Sequence, residues 1–210
     1  QMQALVKSIR ERFGKLDGVV HAAGVAGAGV VQLKTREAAA SVLSPKVLGA
    51  LALEKALDGQ PLDFFVLCSS TTSLIGGGGQ VDYCAANAFL DAFARDYWHR
   101  TGTFTVAINW DAWREVGMAV ETAVPGEMAG ERGALLANGI TPQEGAEAFA
   151  RILGSGTAPQ VVVLTSSTNA QATQSAAAAA QAPSEDGIDH APSLSQHERP
   201  SLDAAYAAPV

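Results

Sequence analysis

The chain is predicted to fold as an α/β structure, a parallel sheet with helices packed against it. Three observations point there. Segments with helical spacing alternate with short apolar runs along most of its length. The run Asp63 to Ser70 (DFFVLCSS) is apolar throughout and ends in hydroxyls, as a buried parallel strand does where it opens into a loop. Near the end, Thr141-Pro142-Gln143-Glu144 opens a helix that precedes another apolar run, Val161 to Leu164. Such alternation argues for parallel strands joined by right-handed crossovers.

The elements follow in order. Leu5, Ile9 and Phe13 lie four apart with Gly14 behind them, a helix ending in a glycine cap. Leu16 to Val20 is the first strand. A helix is expected from about Thr35 to Leu57, with Val42, Val47, Leu51 and Ala56 as its apolar positions. Pro45 inside it predicts a kink or a break just before Lys46. Strand Asp63–Cys68 follows, then a glycine loop, Gly76 to Gly79. A helix from Tyr83 to about His99 carries Ala86, Leu90, Phe93, Ala94 and Tyr97 at helical spacing. Strand Thr105–Trp110, the helix from Thr141 to about Leu153 and the strand from Val161 complete the series.

Composition narrows the function. The 210 residues suffice for one domain and a tail, and 48% are hydrophobic, enough for a core over the first three quarters. A formal charge of −7 argues against nucleic acid and anionic membranes as partners. No apolar run approaches the roughly 18 residues of a membrane span, and no signal peptide is visible, so a cytoplasmic location is the default. The two cysteines, Cys68 and Cys84, have no Cys-x-x-Cys or histidine cluster around them, which argues against a metal site. Both read as small buried residues; a redox role would need a depressed thiol pKa.

The most informative residues are Lys46, Ser70, Tyr83 and Asn87. Ser70 stands thirteen residues before Tyr83, and Asn87 four after it. Tyr83 and Asn87 therefore share one helix face, and Ser70 lies at the carboxyl end of a strand, where open α/β sheets bind ligands. The glycine loop lets the chain turn back so that Ser70 and Tyr83 converge. This set suits reduction of a carbonyl, which needs hydride on carbon and a proton on oxygen. A phenol near its ordinary pKa of about 10 is a poor donor at neutral pH unless a cation lowers that value. Lys46 is expected to supply the cation, Ser70 a hydrogen bond to the carbonyl oxygen, and Asn87 a relay that refills the tyrosine's proton.

In these residues the chain resembles the ketoreductase domain of modular (type I) polyketide synthases, within the short-chain dehydrogenase/reductase superfamily. Most of that superfamily carries Tyr-x-x-x-Lys with an asparagine on the preceding helix. Here Asn87 follows Tyr83, and the lysine is Lys46, thirty-seven residues upstream in Leu43-Ser44-Pro45-Lys46-Val47. That exchange is the mark of polyketide ketoreductases. His21-Ala22-Ala23-Gly24 and Ile108-Asn109-Trp110-Asp111 resemble further segments of the family, and the match runs from about Gln1 to Thr165. The resemblance implies a Rossmann-like sheet and NADPH as cofactor, contacted by Ala22, Ala23, Gly24, Lys46 and Tyr83. It also implies a β-ketoacyl thioester on an acyl carrier protein as substrate, and the other domains of the synthase as partners.

One part of the pattern is missing. Only four strands are visible where a dinucleotide-binding sheet has about six, and no Gly-x-Gly-x-x-Gly precedes a helix. The glycines at 76–79 lack the spacing of a phosphate loop. The chain is therefore expected to begin partway through such a domain, after its first three strands, with Leu16–Val20 as an open sheet edge. Residues from Trp113 to Asn138 correspond to the family's mobile lid over the acyl chain, and Trp110 and Trp113 either line the pocket or belong to the core. From about Ser166 to Val210 the composition turns to Ser, Gln, Pro and Ala without periodicity, as in a disordered linker toward an acyl carrier domain. His21 is expected to pack in its loop.

Two alternatives stay open beside the reductase: a free-standing short-chain alcohol dehydrogenase, and a non-catalytic structural subdomain of a synthase. In the family, Leu-Asp-Asp after the His-Ala-Ala-Gly segment marks one product hand, and a tryptophan eight before the tyrosine marks the other. Those positions hold Ala26-Gly27-Ala28 and Ile75 here, so neither mark is present.

Overall fold

A computed structural model describes residues 1–27, 29–122 and 129–165 of the chain. The expected linker lies outside these residues, as do Ala28 and the centre of the expected lid, Pro125 included. Twelve elements follow one another: α1 (Met2–Phe13), β1 (Gly18–His21), a 3-10 turn (Val31–Leu33), α2 (Arg36–Leu57), β2 (Phe64–Ser70), α3 (Thr72–Ile75), α4 (Val81–Thr101), β3 (Thr105–Trp110), α5 (Met118–Glu121), α6 (Ala129–Ala137), α7 (Pro142–Ser155) and β4 (Gln160–Val163). The strands form one parallel sheet in the order β1-β2-β3-β4, the Rossmann-like arrangement expected.

Alternation along β2 and β3 divides the core in two. Phe65, Leu67 and Ala107 face Ala50 and Leu57 of α2 and Leu90, Phe93, Ala94 and Tyr97 of α4. Val66, Val106 and Ile108 point the other way, toward Ile152 of α7. Both faces are covered, which is why these strands read as continuous apolar runs. Each large side chain buried there contributes about 1.5–3 kcal/mol. Phe65 adds edge contacts to Phe93 and Tyr97, with ring centroids 6.2 and 5.5 Å away.

The helix boundaries follow local chemistry. Thr35 caps α2 through its hydroxyl, which accepts from the Ala38 amide, and the capping box at Thr141 and Glu144 forms with both of its hydrogen bonds. Gly14 ends α1 at φ 84°, as expected. Pro45 neither breaks nor ends α2. The helix runs through it for 22 residues, forgoing the one bond that proline cannot donate.

Two further expectations are corrected. Val42 and Ala56 are buried as expected, together with Lys46, Ala50 and Leu57, whereas Val47 is half-buried and Leu51 exposed. The crossovers also cannot all share one hand. Each moves one strand along the sheet in the same direction, but α2 and α4 cover one face and α7 the other. The β3–β4 connection therefore has the opposite hand to the first two. It spans residues 111–159 and includes α5 and α6, so it escapes the constraint on short, direct strand–helix–strand units.

β1 lies at the edge of the sheet among the described residues, with Val20 exposed. No described helix is long and apolar enough to cross a membrane.

Candidate active site

The carboxyl ends of β1 and β2, the middle of α2 and the start of α4 converge, and the four singled-out residues lie there. Ser70 is the last residue of β2 and is 9% exposed. The chain then makes the short helix α3, too brief to show in the sequence, before Gly76 and Gly79 turn it back at φ 79° and 69°. At Gly79 a side chain would meet the Gly29 backbone at 3.3 Å, so the glycine loop packs directly on the loop after β1.

Lys46 projects from the core-facing stripe of α2 and is 2% exposed. Its ammonium donates to the Cys68 carbonyl at 2.7 Å and sits 5.8 Å from the centre of the Tyr83 ring. Asn87, fully buried one turn after Tyr83, donates its side-chain amide to the Tyr83 carbonyl at 2.7 Å. Its Oδ1 has no hydrogen-bond partner among the described residues. An orphaned buried acceptor beside a phenol is a place for a water or a ligand hydroxyl.

The titration of Tyr83 corrects one expectation. Burial pushes its phenol above the usual value, and hydrogen bonding with the Asn87 and Ser70 side chains pulls it only part of the way back. Lys46 is not among the groups that lower it. Its charge lies over the ring and is committed to the Cys68 carbonyl, while burial depresses its own pKa. The phenol is thus a loaded proton carrier at neutral pH. Burial likewise raises the Cys68 thiol, which fits a structural cysteine and no redox role.

The loop after β1 approaches the same place. Ala22 and Ala23 are exposed, and a methyl on Gly24 would lie 3.1 Å from Lys46 Cε and 3.8 Å from Met118 Cε. This tight, open-faced cradle beside a buried ammonium fits the sugar end of a nicotinamide cofactor. Met118, from the expected lid segment, thus reaches the same loop. His21 ends β1, buried, with Nε2 3.4 Å from the Lys46 carbonyl; its ring occupies the space that a side chain at Gly49 would need. Trp113, half-buried, packs against Trp110 at 5.2 Å and fills the space over Gly145 of α7, while Trp110 packs on the core cluster of Val66, Val106, Ile108 and Ile152.

Several polar residues behind the site were not singled out in the sequence. Asp82 pairs with Lys34 at 2.7 Å and accepts from the Tyr83 amide at 2.9 Å. Asp91, Asn109 and Ser73 form a buried cluster with Ser69 and the Ser70 carbonyl.

Comparison with known proteins agrees with this arrangement. The family described as KR domain matches residues 1–115. Polyketide synthase PksL of Bacillus subtilis is 36% identical over 125 residues, 57% of this chain and 3% of its own length. The 6-methylsalicylic acid synthase of Aspergillus terreus is 47% identical over 105 residues, 50% of this chain and 6% of its own. A solved N-terminal ketoreductase from the macrolactin assembly line superposes with a TM-score of 0.66 at 31% identity, covering 82% of this chain and 33% of that one. The chain thus spans a small part of each relative.

Proposed function

The chain belongs to the ketoreductase domains of type I polyketide synthases, in the short-chain dehydrogenase/reductase superfamily, and from that premise we propose that it carries the catalytic residues for NADPH-dependent reduction of a β-ketoacyl thioester held on an acyl carrier protein. The observation that carries this reading is the Lys46 ammonium 5.8 Å from the centre of the Tyr83 ring, with the Asn87 side chain bonded to the Tyr83 carbonyl and its Oδ1 without a partner among the described residues.

Ser70 and Tyr83 present hydroxyls to the carbonyl oxygen. A bound nicotinamide cofactor would supply hydride to the carbonyl carbon. Tyr83 then gives its proton to the developing alkoxide, whose conjugate acid is about as weak an acid as water. Even a phenol with a raised pKa transfers that proton downhill, and the raised value keeps the donor loaded. Lys46 binds the cofactor's ribose next to Ala22, Ala23 and Gly24. Asn87 Oδ1 holds the water through which Tyr83 is reprotonated.

Residues 1–165 form the catalytic part of the domain, and residues 166–210 the linker toward the carrier. The test is mass spectrometry of a β-ketoacyl carrier protein incubated with the intact polypeptide and NADPH. The acyl chain is expected to gain two hydrogens with NADPH and far fewer with NADH. An unchanged chain, with cofactor bound, would favour a non-catalytic subdomain.

A further inference from the structure

We propose that Asp91 is a positioning residue of this site: its buried carboxylate anchors the turn that carries Ser70 and serves as the counter-charge of Lys46. The inference rests on the reductase reading for its kinetic consequence, not for its physical basis.

Tyr83, Asn87 and Asp91 follow one another at intervals of four along α4, so Asp91 continues the stripe that carries the site into the core. It is 8% exposed. Its Oδ2 accepts from the Ser73 hydroxyl at 2.6 Å, and both oxygens lie 3.0 Å from Asn109 Nδ2. Asn109 is fully buried on β3, directly across the sheet from Ser69. The same Nδ2 reaches Ser69 Oγ and the Ser70 carbonyl, each at 3.1 Å, and its Oδ1 accepts from Gln160 at 3.2 Å. The end of β2, where Ser70 must face a substrate, is therefore tied from behind to a carboxylate.

That carboxylate makes no ion pair within 4 Å among the described residues, and neither does the buried ammonium of Lys46. Each charge alone would cost several kcal/mol to bury. The titratable groups around Lys46 are His21 from β1, Cys68 from β2, and Tyr83 and Asp91 from α4. Asp91 is the one carboxylate among them, and its charge opposes the lowering of the Lys46 pKa by burial. Lys46 is bonded to the Cys68 carbonyl and Asp91, through Asn109, to Ser69 and the Ser70 carbonyl, so the two charges are held at the same end of β2.

The test compares Asp91→Asn, Lys46→Met and the double variant in the intact synthase polypeptide. Urea unfolding reads the pairing without any activity. Each single variant leaves one buried charge uncompensated, so the double variant is expected to have a higher midpoint than either single one. Kinetics read the consequence. Asp91→Asn is expected to lower kcat at least tenfold with KM changed less than threefold, and to move the alkaline limb of the rate profile down by about one pH unit. Asp91→Glu restores part of both. Additive midpoints, or an unshifted alkaline limb in Asp91→Asn, would overturn the proposal. If Asp91→Asn does not fold, a folded double variant supports it and an unfolded one overturns it. Absence of reduction by the unmodified polypeptide would sink the reductase reading alone, leaving the urea comparison to decide this one.

Discussion

Lys34 Nζ lies 2.7 Å from Asp82 Oδ2, with the two side chains only 6% and 3% exposed. Forty-eight residues separate them, and the pair joins the loop after β1 to the first turn of α4. Asp82 Oδ1 also accepts from the Tyr83 amide. The pair thus fixes where Tyr83 enters its helix relative to the Ala22–Gly24 loop. Breaking a buried pair of this kind is costly. Asp82→Asn is expected to destabilise the protein by about 3–5 kcal/mol, measured by urea unfolding. A loss under about 1 kcal/mol would mean that water screens the pair.

His21 makes stability depend on acid. Burial holds its pKa below the ordinary 6.5, with hydrogen bonds to the Lys46 and Pro45 carbonyls opposing and the Lys46 charge reinforcing the shift. Between its folded value and 6.5, the unfolded chain binds a proton that the folded one refuses. Stability is therefore full above pH 6.5 and falls as pH drops through the folded value. The urea midpoint should fall between pH 7 and pH 5, and His21→Asn should remove part of that slope. An identical slope in the variant would place the titration elsewhere.

Gly145 gives Trp113 its seat. A methyl there would lie 2.1 Å from the indole ring, so Gly145→Ala must displace the tryptophan or the helix. Overpacking of this kind costs about 1–3 kcal/mol. A thermal unfolding midpoint unchanged by Gly145→Ala would contradict the packing.

Much of this architecture was legible beforehand, for identifiable reasons. The stripe of Ala86, Leu90, Phe93, Ala94 and Tyr97 is buried as its spacing required. On α2 the period misled, since Lys46 occupies a core-facing position that an apolar residue would mark. Functional groups break local patterns where they do their chemistry. Asp91 and Asn109 gave a similar signal, polar residues on an apolar stripe and in an apolar strand, but their partners lie 18 to 51 residues away. The hand of the last crossover was not legible, because it depends on the face to which α7 returns. The expected lowering of the Tyr83 pKa by Lys46 is not found, because burial raises the phenol and the spacing of Lys46 and Tyr83 does not show how deeply the phenol is buried.

The cofactor cradle is one-ended among the described residues. In the proposed reading Ala22, Ala23, Gly24 and Lys46 would face the nicotinamide end, but the described residues hold no glycine-rich strand–helix turn for the pyrophosphate, and their sheet ends at β1. Residues 1–210 alone are expected to bind NADPH weakly or not at all. Micromolar affinity by calorimetry would contradict this.

The central claim is that Tyr83 delivers the proton to the reduced carbonyl. Its most direct test is kcat of Tyr83→Phe in the intact polypeptide, with NADPH and a β-ketoacyl thioester, after calorimetry has shown unchanged NADPH binding. The account predicts a loss of at least about a hundredfold, within the range for removal of a general acid. A variant that keeps more than about half of the parent's kcat would contradict it.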